Sequence, residues 1–294
     1  MPTSADFDAT SRAREGAVPW PTVPRNDALL TWYAEHGRRL SWRGETDPWR
    51  VLVVEVMSQQ TQVSRVEERY GPFLERFPAP RDLAEAPPEE AVRLWAGLGY
   101  LRRLANLRRA AQVIALRGWP DDLTELPGVG PYTAAAVSCF ASGVAVPTID
   151  TNHARVLSRW AGRALVGAEL VAVASAELDA DDAAGWNQAV MDLGATVCRP
   201  VPTCSLCPVA AWCQDPSVYV PPARQSRFEG SLRQTRAAIM KALTSGPLTT
   251  SALTSGQLLS GALAGAHGAR VKPALEALAR EGLVVESADG WRLV

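Results

Sequence analysis

The chain has 294 residues, 47% hydrophobic and 21% charged, a length that allows two or three domains and a composition typical of a globular protein with a core. No apolar run approaches the ~20 residues that cross a membrane, so the sequence predicts no membrane-spanning segment. The net charge of −1 gives no overall nucleic-acid signal, so any DNA contact must come from local arginine clusters such as Arg102–Arg103 and Arg108–Arg109.

The N-terminal residues 1–25 mix serine, aspartate, arginine and proline, and they contain no apolar stretch of the kind found in a secretory signal. We predict that they form a disordered segment. Because neither a signal nor a membrane span is recognised, the expected location is cytoplasmic. Five cysteines, four of them clustered late in the chain, are also unlike the disulfide framework of a small secreted protein.

Residues 26–217 are predicted to be mostly helical. Asn26 and Asp27 are suitable N-caps, Pro87–Glu90 is typical of a first helical turn, and apolar residues recur with a helical period over 101–117. In chain order, helices are predicted over about 26–36, 49–70 with fragments to 77, from 87, 101–117, from 132, after 150, 167–178 and 184–197. This pattern indicates an all-α core.

Glu55 is notable because it lies within the apolar segment Val51–Met57, where most faces of a helix are expected to be buried. Burial raises the pKa of a carboxyl group, and a carboxylic acid that is partly protonated near neutral pH can donate a proton to a leaving group. On this local sequence alone, a structural glutamate paired with an arginine is an equally weighted alternative. The polar residues Gln59–Gln62 follow, and they either read base edges or mark the point at which the helix reaches the surface.

The segment Leu126–Gly130, with the sequence Leu-Pro-Gly-Val-Gly, joins two predicted helices. Two glycines allow positive φ and the close approach of another backbone, and the following helix directs free N–H groups toward the turn. Such an element fits a DNA phosphate, with Gly128, Val129 and Gly130 as the candidate contacts. We favour this function over an ordinary helix–helix turn.

Asp150 precedes another predicted helix and is suited to cap it. The carboxylate of an N-cap is expected to stay ionised, and an ionised carboxylate in a site can stabilise a developing sugar cation. Glu55 as proton donor and Asp150 as anion match the division of labour that breaks a glycosidic bond. His153, like His36 and His267, lacks metal-ligand spacing and is interpreted as a surface or packing residue.

A cysteine loop follows the last helix of the core. Its members are Cys198, Cys204, Cys207 and Cys213, with the spacing C-x5-C-x2-C-x5-C. Only the middle pair has zinc-like spacing, so local chemistry favours a [4Fe–4S] cluster over zinc while leaving both open. Four thiolates fill the ligand set in either case, which predicts a structural role. Cys139 lies outside the loop and is interpreted as a small buried residue.

The pattern changes after a predicted linker at residues 218–229, which includes the proline-containing stretch Val220–Ser226. Helices are predicted over 232–244, 249–258 and 270–281, and strands over 284–286 and 291–294. The two strands flank a turn that contains Asp289 and Gly290, as in a hairpin. Three helices and a hairpin predict a small winged-helix domain over residues 230–294.

Together these strings resemble the helix-hairpin-helix DNA glycosylases of the endonuclease III superfamily, and specifically the MutY-type adenine DNA glycosylases. The resemblance covers about residues 27–216. It is carried by Leu40–Arg43, Glu55–Val63, Gly97–Tyr100, Leu126–Ala134, Asp150–Asn152, Met191–Ala195 and the four clustered cysteines. It implies a core of two helical lobes over 26–217 with an iron–sulfur loop at 198–213. The winged helix resembles the shorter C-terminal region of some family members.

The resemblance also implies a reaction, namely excision of adenine opposite 8-oxoguanine or guanine from duplex DNA in base excision repair, after the adenine is flipped out. Glu55 would protonate the adenine and Asp150 would stabilise the sugar cation. The other implied roles are Tyr132, Asn152 and Arg38 in the catalytic pocket, Gln60 and Thr61 at the 8-oxoguanine, Leu98 and Tyr100 as wedges in the base stack, and the four cysteines on a [4Fe–4S] cluster. We expect a monomer that associates with the nucleoid and has no membrane partner.

Position 132 bears on the products of this reaction. In related endonuclease III enzymes a lysine at this place attacks the sugar, whereas this chain has Tyr132 and no lysine before Lys241. The expectation is therefore a monofunctional glycosylase without strong lyase activity.

Two alternatives to adenine excision stay open. A thymine or uracil mismatch glycosylase would have the same fold, and Gln59–Thr61 argue against it. The second alternative is a non-catalytic DNA-damage-binding protein, and the presence of both Glu55 and Asp150 argues against it. The chain also departs from the family: residues 230–294 differ from the larger β-rich domain that many relatives use to recognise 8-oxoguanine, and the first cysteine gap is one residue shorter than usual.

Overall fold

The structure, a computed structural model, describes residues 22–219, 221, 227–255 and 264–294. The chain divides into two compact units. The first unit combines the N-terminal residues up to Arg38 with Ala145–Pro221, and the second combines Arg39–Val144 with the residues from Pro222 onward. Most of the predicted disordered segment (1–25) and the core of the predicted linker (218–229) lie outside the described residues.

The described chain is mainly helical, as the sequence predicts. In chain order the helices are α1 Thr22–His36, α2 Pro48–Ser58, α3 Val63–Arg76, α4 Pro80–Glu85, α5 Pro88–Leu94, α6 Leu101–Arg117, α7 Pro131–Ser142, α8 Thr151–Trp160, α9 Gly167–Glu177, α10 Ala183–Thr196, α11 Leu232–Leu243, α12 Thr250–Thr254 and α13 Ala264–Arg280. Short 3₁₀ turns lie at Leu123–Glu125, Cys204–Leu206 and Ala210–Trp212. Within the described ranges, no helix combines the length and the apolar character that a membrane crossing requires.

Helix α1 begins at Thr22, earlier than the predicted cap at Asn26. The buried Asn26 side chain makes tertiary hydrogen bonds instead of a cap. Its amide nitrogen donates to the carbonyl oxygen of Glu177 at 3.1 Å, and its oxygen accepts from the indole nitrogen of Trp186 at 3.2 Å. The neighbouring Arg25 is also buried and pairs with the Glu177 carboxylate. These contacts fix α1 onto the first unit, where α10 packs against both α1 and α8.

The helix predicted over residues 49–70 is in fact two helices, α2 and α3, separated at residues 59–62. Gln60 has a left-handed φ of 56°, which interrupts a right-handed helix. At the other end of α2, Asp47 is the N-cap and accepts from the backbone N–H groups of Trp49 and Arg50 at 2.9 and 3.0 Å. The polar run after Met57 therefore becomes a loop at the end of a buried helix, and α2 itself packs against α7.

Helices α11–α13 and a hairpin form the C-terminal module, which has the three helices and two strands that the sequence predicts. Strands β1 Val284–Ser287 and β2 Gly290–Leu293 pair antiparallel, with Val284 opposite Leu293. Leu248 forms an isolated antiparallel bridge to Trp291 through two backbone hydrogen bonds of 3.0 and 2.9 Å. Helix α13 begins at Ala264, before the predicted residue 270, and the end of the helix predicted over 249–258 lies outside the described residues.

The C-terminal module shares the apolar core of the second unit. Three buried side chains of α11 belong to this core: Ile239, Met240 and Leu243. Arginines of α5 and α6 bond to backbone carbonyls of the module, with Arg93 donating to Thr244 at 3.4 Å, Arg108 to Val294 at 3.3 Å and Arg109 to Glu281 at 2.6 Å. Arg108 and Arg109, which the sequence suggested for DNA contact, therefore bind backbone carbonyls of the C-terminal module within the second unit.

Candidate active site

Glu55 lies near the C-terminal end of α2, at the edge of the second unit's core. Its neighbours Val51–Val54, Val56 and Met57 are buried, whereas Glu55 is half-buried. The helix around Glu55 is apolar and buried, as expected, but Glu55 itself is partly exposed to solvent. This position suits a group that must be partly removed from water and must still reach a bound molecule.

The loop after α2 brings the end of this helix next to the start of α7. The side-chain nitrogen of Gln59 donates to the hydroxyl oxygen of buried Thr133 at 3.3 Å. Thr133 follows Tyr132 in the first turn of α7, and Tyr132 is half-buried. Gln60 is exposed and Thr61 is half-buried. Within the second unit, the end of α2, the start of α7 and the loop between α2 and α3 therefore lie together and carry several of the candidate residues.

Arg103, which the sequence suggested for DNA contact as part of Arg102–Arg103, instead organises this loop. Its guanidinium donates to six oxygens, those of the Val56 carbonyl at 2.7 Å, the Met57 carbonyl at 3.0 Å, the Gln59 carbonyl, the Thr61 hydroxyl at 2.9 Å, the Leu98 carbonyl at 3.0 Å and the Gly99 carbonyl at 3.5 Å. Burial lowers the pKa of Arg103 to about 10, so the group stays cationic at neutral pH. One side chain of α6 thus holds the C-terminal carbonyls of α2, the adjoining loop and the 97–100 loop together.

The 97–100 loop presents Tyr100 to the outside. Tyr100 is 36% exposed, whereas the Leu98 side chain is 3% exposed and packs in the core. Within the described residues, Tyr100 with φ 46° and Gln60 with φ 56° are the non-glycine residues with positive φ. Backbone strain of this kind persists only where surrounding contacts impose it, and it concentrates at functional sites. Of the two candidate wedges, Tyr100 is the one whose side chain is available in this conformation.

The Leu126–Gly130 turn precedes α7 in the same unit. Gly128 has φ 80°, and a Cβ at this position would lie 2.5 Å from the Cβ of Asn106, so a larger residue does not fit. Gly128 and Gly130 are exposed and Val129 is buried. Gly130 is the N-cap of α7 and has no side chain to cover the first N–H groups of the helix. The turn therefore exposes backbone N–H groups and the positive end of the helix dipole, which suits an anion.

Asp150 is the N-cap of α8 in the first unit, as predicted. One carboxylate oxygen accepts from the backbone N–H of His153 at 2.8 Å and contacts its Nδ1 at 2.9 Å, and the other accepts from the Asn152 side chain at 2.7 Å. Burial alone would raise the pKa of Asp150, but the bonds from His153 and Asn152 outweigh it and lower the pKa below its usual value. Asp150 is thus held as an anion.

The sequence suggested a surface or packing role for His153. In the structure, its backbone N–H and its Nδ1 both contact the Asp150 carboxylate. It is fully buried, and its ring lies 5.8 Å from the ring of Trp186 at an angle of 46°. The position of His153 three residues after an N-cap was the available signal, because a side chain there can return to the cap on the same helical face.

Arg155 connects the Asp150 cap to the cysteine loop. Its Nη2 donates to the side-chain oxygen of Asn152 and to the carbonyl of Gly194, both at 2.7 Å, and its Nε donates to the carbonyl of Cys198 at 2.8 Å. A Cβ on Gly194 would lie 2.6 Å from the Cβ of Asn152, so α10 and α8 meet closely here. Arg155 therefore links the start of the cysteine loop, at Cys198, to the side chain of Asn152. Asn152 in turn bonds the carboxylate of Asp150.

Arg38 is anchored to a buried carboxylate of α10. Its backbone N–H donates to one oxygen of Asp192 at 2.7 Å, and its Nε and Nη2 donate to the other at 2.8 and 2.6 Å. Asp192 is fully buried and Arg38 is partly exposed. This bidentate pair fixes the guanidinium in the first unit. The structure thus places Arg38, Asp150, Asn152 and the cysteines in the first unit and the other candidate site residues in the second.

The four clustered cysteines carry free thiols. Burial, followed by repulsion from the neighbouring thiols of the loop, raises the pKa of Cys207 and of Cys213 to about 11. Such mutual repulsion of thiolates is what a bound cation relieves, so the donor set has the chemistry of a four-thiolate centre. Among the described residues, no three His, Cys, Asp or Glu side chains lie close enough together to hold a metal ion.

Sequence comparisons relate the chain to base excision repair proteins. Residues 53–166 match the HhH-GPD superfamily of base excision DNA repair proteins. The adenine DNA glycosylase of Mycobacterium tuberculosis is 37% identical over 297 residues, which cover 94% of this chain and 95% of the relative. That of Homo sapiens is 39% identical over 209 residues, which cover 64% of this chain and 38% of the relative. The mycobacterial match is long enough to include most of the C-terminal module.

Solved structures have the same fold. A thermostable thymine-DNA glycosylase has a TM-score of 0.62 and 26% identity, over 66% of this chain and 95% of the other. A trapped endonuclease III–DNA covalent intermediate has a TM-score of 0.58 and 21% identity, over 67% and 97%, which bears on the fold alone. The helix-hairpin-helix glycosylase core predicted from the sequence is confirmed.

Proposed function

Because the chain belongs to the adenine DNA glycosylase family of the HhH-GPD superfamily, a family of base excision repair enzymes, we propose that it removes adenine mispaired with 8-oxoguanine or guanine from duplex DNA. The observation that carries this proposal is the state of Asp150, an anion held by hydrogen bonds from His153 and Asn152. A fixed anion suits a reaction in which positive charge develops on a sugar.

The proposed reaction begins with proton transfer to the base. Adenine leaves poorly as an anion, so Glu55 as a carboxylic acid would donate its proton to a ring nitrogen and let the base leave neutral. The C1′–N9 bond then breaks, its electron pair goes to the base, and the carboxylate of Asp150 stabilises the oxocarbenium-like sugar. Water adds to C1′ and loses a proton, which gives an abasic site and free adenine.

DNA handling would use the exposed elements of the second unit. The adenine must leave the stack to be reached, and Tyr100 is the exposed side chain that would take its place. We assign contact with the opposite 8-oxoguanine to Gln60 and Thr61, which follow α2. The N–H groups at Gly128–Gly130 would bind a backbone phosphate. Leu98 would support the wedge from the core rather than insert, unless the loop rearranges on DNA.

The enzyme would be monofunctional. A lyase of this fold needs an amine that attacks the sugar, and the first turn of α7 carries Tyr132 instead. No lysine precedes Lys241 in the sequence. The expected products are adenine and an intact strand with an abasic site. Because the proposed substrate is genomic DNA, we place the protein with the nucleoid in the cytoplasm.

A second candidate is excision of thymine or uracil from mismatches, which the fold similarity to a thymine-DNA glycosylase favours. Single-turnover assays on duplexes with A:8-oxoG, A:G, T:G and U:G separate the two, with released bases identified by mass. We expect adenine release that is fastest opposite 8-oxoguanine. Release of thymine or uracil at a higher rate than adenine would replace the proposal with the second candidate.

We infer that the four clustered cysteines hold a [4Fe–4S] cluster. When bound, such a cluster would supply a fixed structural centre for the loop. The loop is already tied to α8, because Arg159 donates to the Cys198 sulfur at 3.2 Å and Arg155 donates to the Cys198 carbonyl. This link connects the proposed cluster to the helix that Asp150 caps.

The variant Cys207→Ser tests the cluster. We expect loss of the broad visible absorbance of the anaerobically purified protein and a fall in melting temperature of at least ~5 °C, because binding energy at the loop is folding energy. The matched control is Cys139→Ala, which removes the buried thiol outside the loop and should leave the absorbance intact. Zinc in place of iron in the parent protein would overturn the assignment.

The variant His153→Phe tests how Asp150 is kept ionised. Loss of the side-chain bond should raise the pKa of Asp150, and Asp150 acts as an anion, so activity should be lost at a higher pH than in the parent as the pH falls. We expect the ratio of the excision rate at about pH 8 to that at about pH 5.5 to be larger in the variant than in the parent. His36→Phe, an exposed change on α1, should leave the pH profile unchanged. An unshifted acid limb in His153→Phe would contradict this role.

A further inference from the structure

The C-terminal module reaches the exposed wedge residue through Arg233. Arg233 lies in the first turn of α11, and its Nη1 donates to the phenolic oxygen of Tyr100 at 2.9 Å. Its guanidinium carbon is 5.9 Å from the centroid of the Tyr100 ring. Both residues belong to the second unit. A residue from the end of the chain thus contacts the side chain that we assign to DNA insertion.

The ring of Tyr100 is held by two guanidinium groups of different origin. Arg103, the arginine that organises the loop after α2, lies 5.2 Å from the ring centroid. Arg233 approaches from the C-terminal module and also bonds the hydroxyl. Cations attract the face of an aromatic ring, and a charge-assisted hydrogen bond fixes the outer end of the phenol. The ring is therefore oriented by contacts although it is 36% exposed and not fixed by the core.

The backbone of Tyr100 makes such contacts necessary. A left-handed φ of 46° is unfavourable for a non-glycine residue, so the residue would relax if its surroundings allowed it. Arg103 holds the carbonyls of Leu98 and Gly99 in the loop before Tyr100, at 3.0 and 3.5 Å. The phenolic oxygen of Tyr100 accepts a hydrogen bond from Arg233.

The position of Arg233 is itself fixed by the docked module. Buried α11 side chains join the core of the second unit, and Arg93 of α5 donates to the carbonyl of Thr244, just after the end of α11. Ser231 caps α11 and accepts from the N–H of Gln234 at 3.3 Å. Helix α11, which carries Arg233, is therefore held at its start and at its end. The position of the docked module thus determines where the Arg233 guanidinium meets Tyr100.

We propose that Arg233 is a positioning residue for the Tyr100 wedge, so that the C-terminal module takes part in opening the mispair. This inference rests on the proposed function, because it takes Tyr100 as the residue that enters the base stack. Arg233 holds the phenol in the orientation for insertion before DNA binds. The module thus assists base flipping without contact between its own residues and the adenine.

The test compares Arg233→Ala, Arg233→Lys and Tyr100→Phe in the full-length protein. We expect Arg233→Ala to slow single-turnover adenine release by about fivefold to tenfold, the size of effect typical of one charge-assisted hydrogen bond. It should also reduce the fluorescence rise of 2-aminopurine placed as the target base, which reports flipping directly. Arg233→Lys should recover most of both signals, because lysine keeps the charge and a donor.

Two comparisons exclude a merely structural effect. Arg292→Ala removes an exposed arginine from strand β2 of the same module and should leave excision and flipping unchanged. In the Tyr100→Phe background, Arg233→Ala should have at most about a twofold further effect, since the hydroxyl acceptor is already gone. Equal melting temperatures of Arg233→Ala and the parent would show that the module stays folded.

The outcomes separate this inference from the proposed function. If the parent protein releases no base from any mispaired duplex, the proposed function fails, and the inference with it. If the parent releases adenine and Arg233→Ala matches it within about twofold in rate and flipping, the inference alone is overturned. A full effect of Arg233→Ala in the Tyr100→Phe background would also overturn it, because Arg233 would then act through something other than the phenol.

Discussion

Replacement of Glu55 by glutamine is expected to slow adenine release by about 10³-fold or more, while affinity for the mispaired duplex stays within about threefold of the parent. Glutamine has nearly the shape of glutamic acid but has no acidic proton to donate. Glu55 is half-buried beside buried neighbours, so the exchange preserves volume at the edge of the core. The measurement is a single-turnover rate on an A:8-oxoG duplex, with binding measured separately.

The matched control for this variant is Glu75→Gln on the exposed side of α3, which removes the same charge from the same unit. It should leave the rate unchanged. If Glu55→Gln kept the rate of the parent within about tenfold, Glu55 would not be the acid that activates the base.

The variant Asp150→Asn should lower the rate by about 10²- to 10³-fold, because a neutral amide cannot stabilise the sugar cation. Asparagine is as good an N-cap as aspartate, so its oxygen can still accept from the N–H of His153 and keep α8 folded. We therefore expect a melting temperature within a few degrees of the parent. The effect on catalysis would then report the charge of the side chain rather than the integrity of the helix.

Asp182→Asn is a close control because Asp182 caps α10 in the same unit and accepts from the N–H of Gly185 at 2.8 Å. The same chemical change at that cap should have little effect on the rate. Equal losses in the two variants would mean that capping, not charge at Asp150, explains the sensitivity.

The sequence predicted those parts of the fold that depend on local patterns. Helical periods, N-caps and the Asp289–Gly290 turn gave the helical core and the C-terminal module, and these signals depend on residues a few positions apart. The helix predicted over 49–70 was wrong as a single element, because Gln59 leaves the helical conformation with ψ 110° and Gln60 is left-handed with φ 56°. Periodicity could not show this break, since polar residues also occur on the outer face of a continuous helix.

The candidate site depends on contacts between distant positions, which local patterns do not report. Arg103 bonds carbonyls of residues 56, 57 and 59 at a sequence separation of more than forty, and arginine is so frequent in this chain that its position carries no signal. The same holds for Arg233 and Tyr100, which are 133 residues apart. His153 is different, because it lies three residues after an N-cap and could have been recognised as a partner of Asp150.

The most direct measurement is a crystal structure of the protein bound to a duplex that carries a non-cleavable adenine nucleoside opposite 8-oxoguanine. We predict an extruded adenine with the carboxyl of residue 55 at about 2.6–3.2 Å from a ring nitrogen and with the carboxylate of residue 150 below the sugar. An adenine that remains stacked, or one that is extruded but has only one of these acids beside it, would contradict the account.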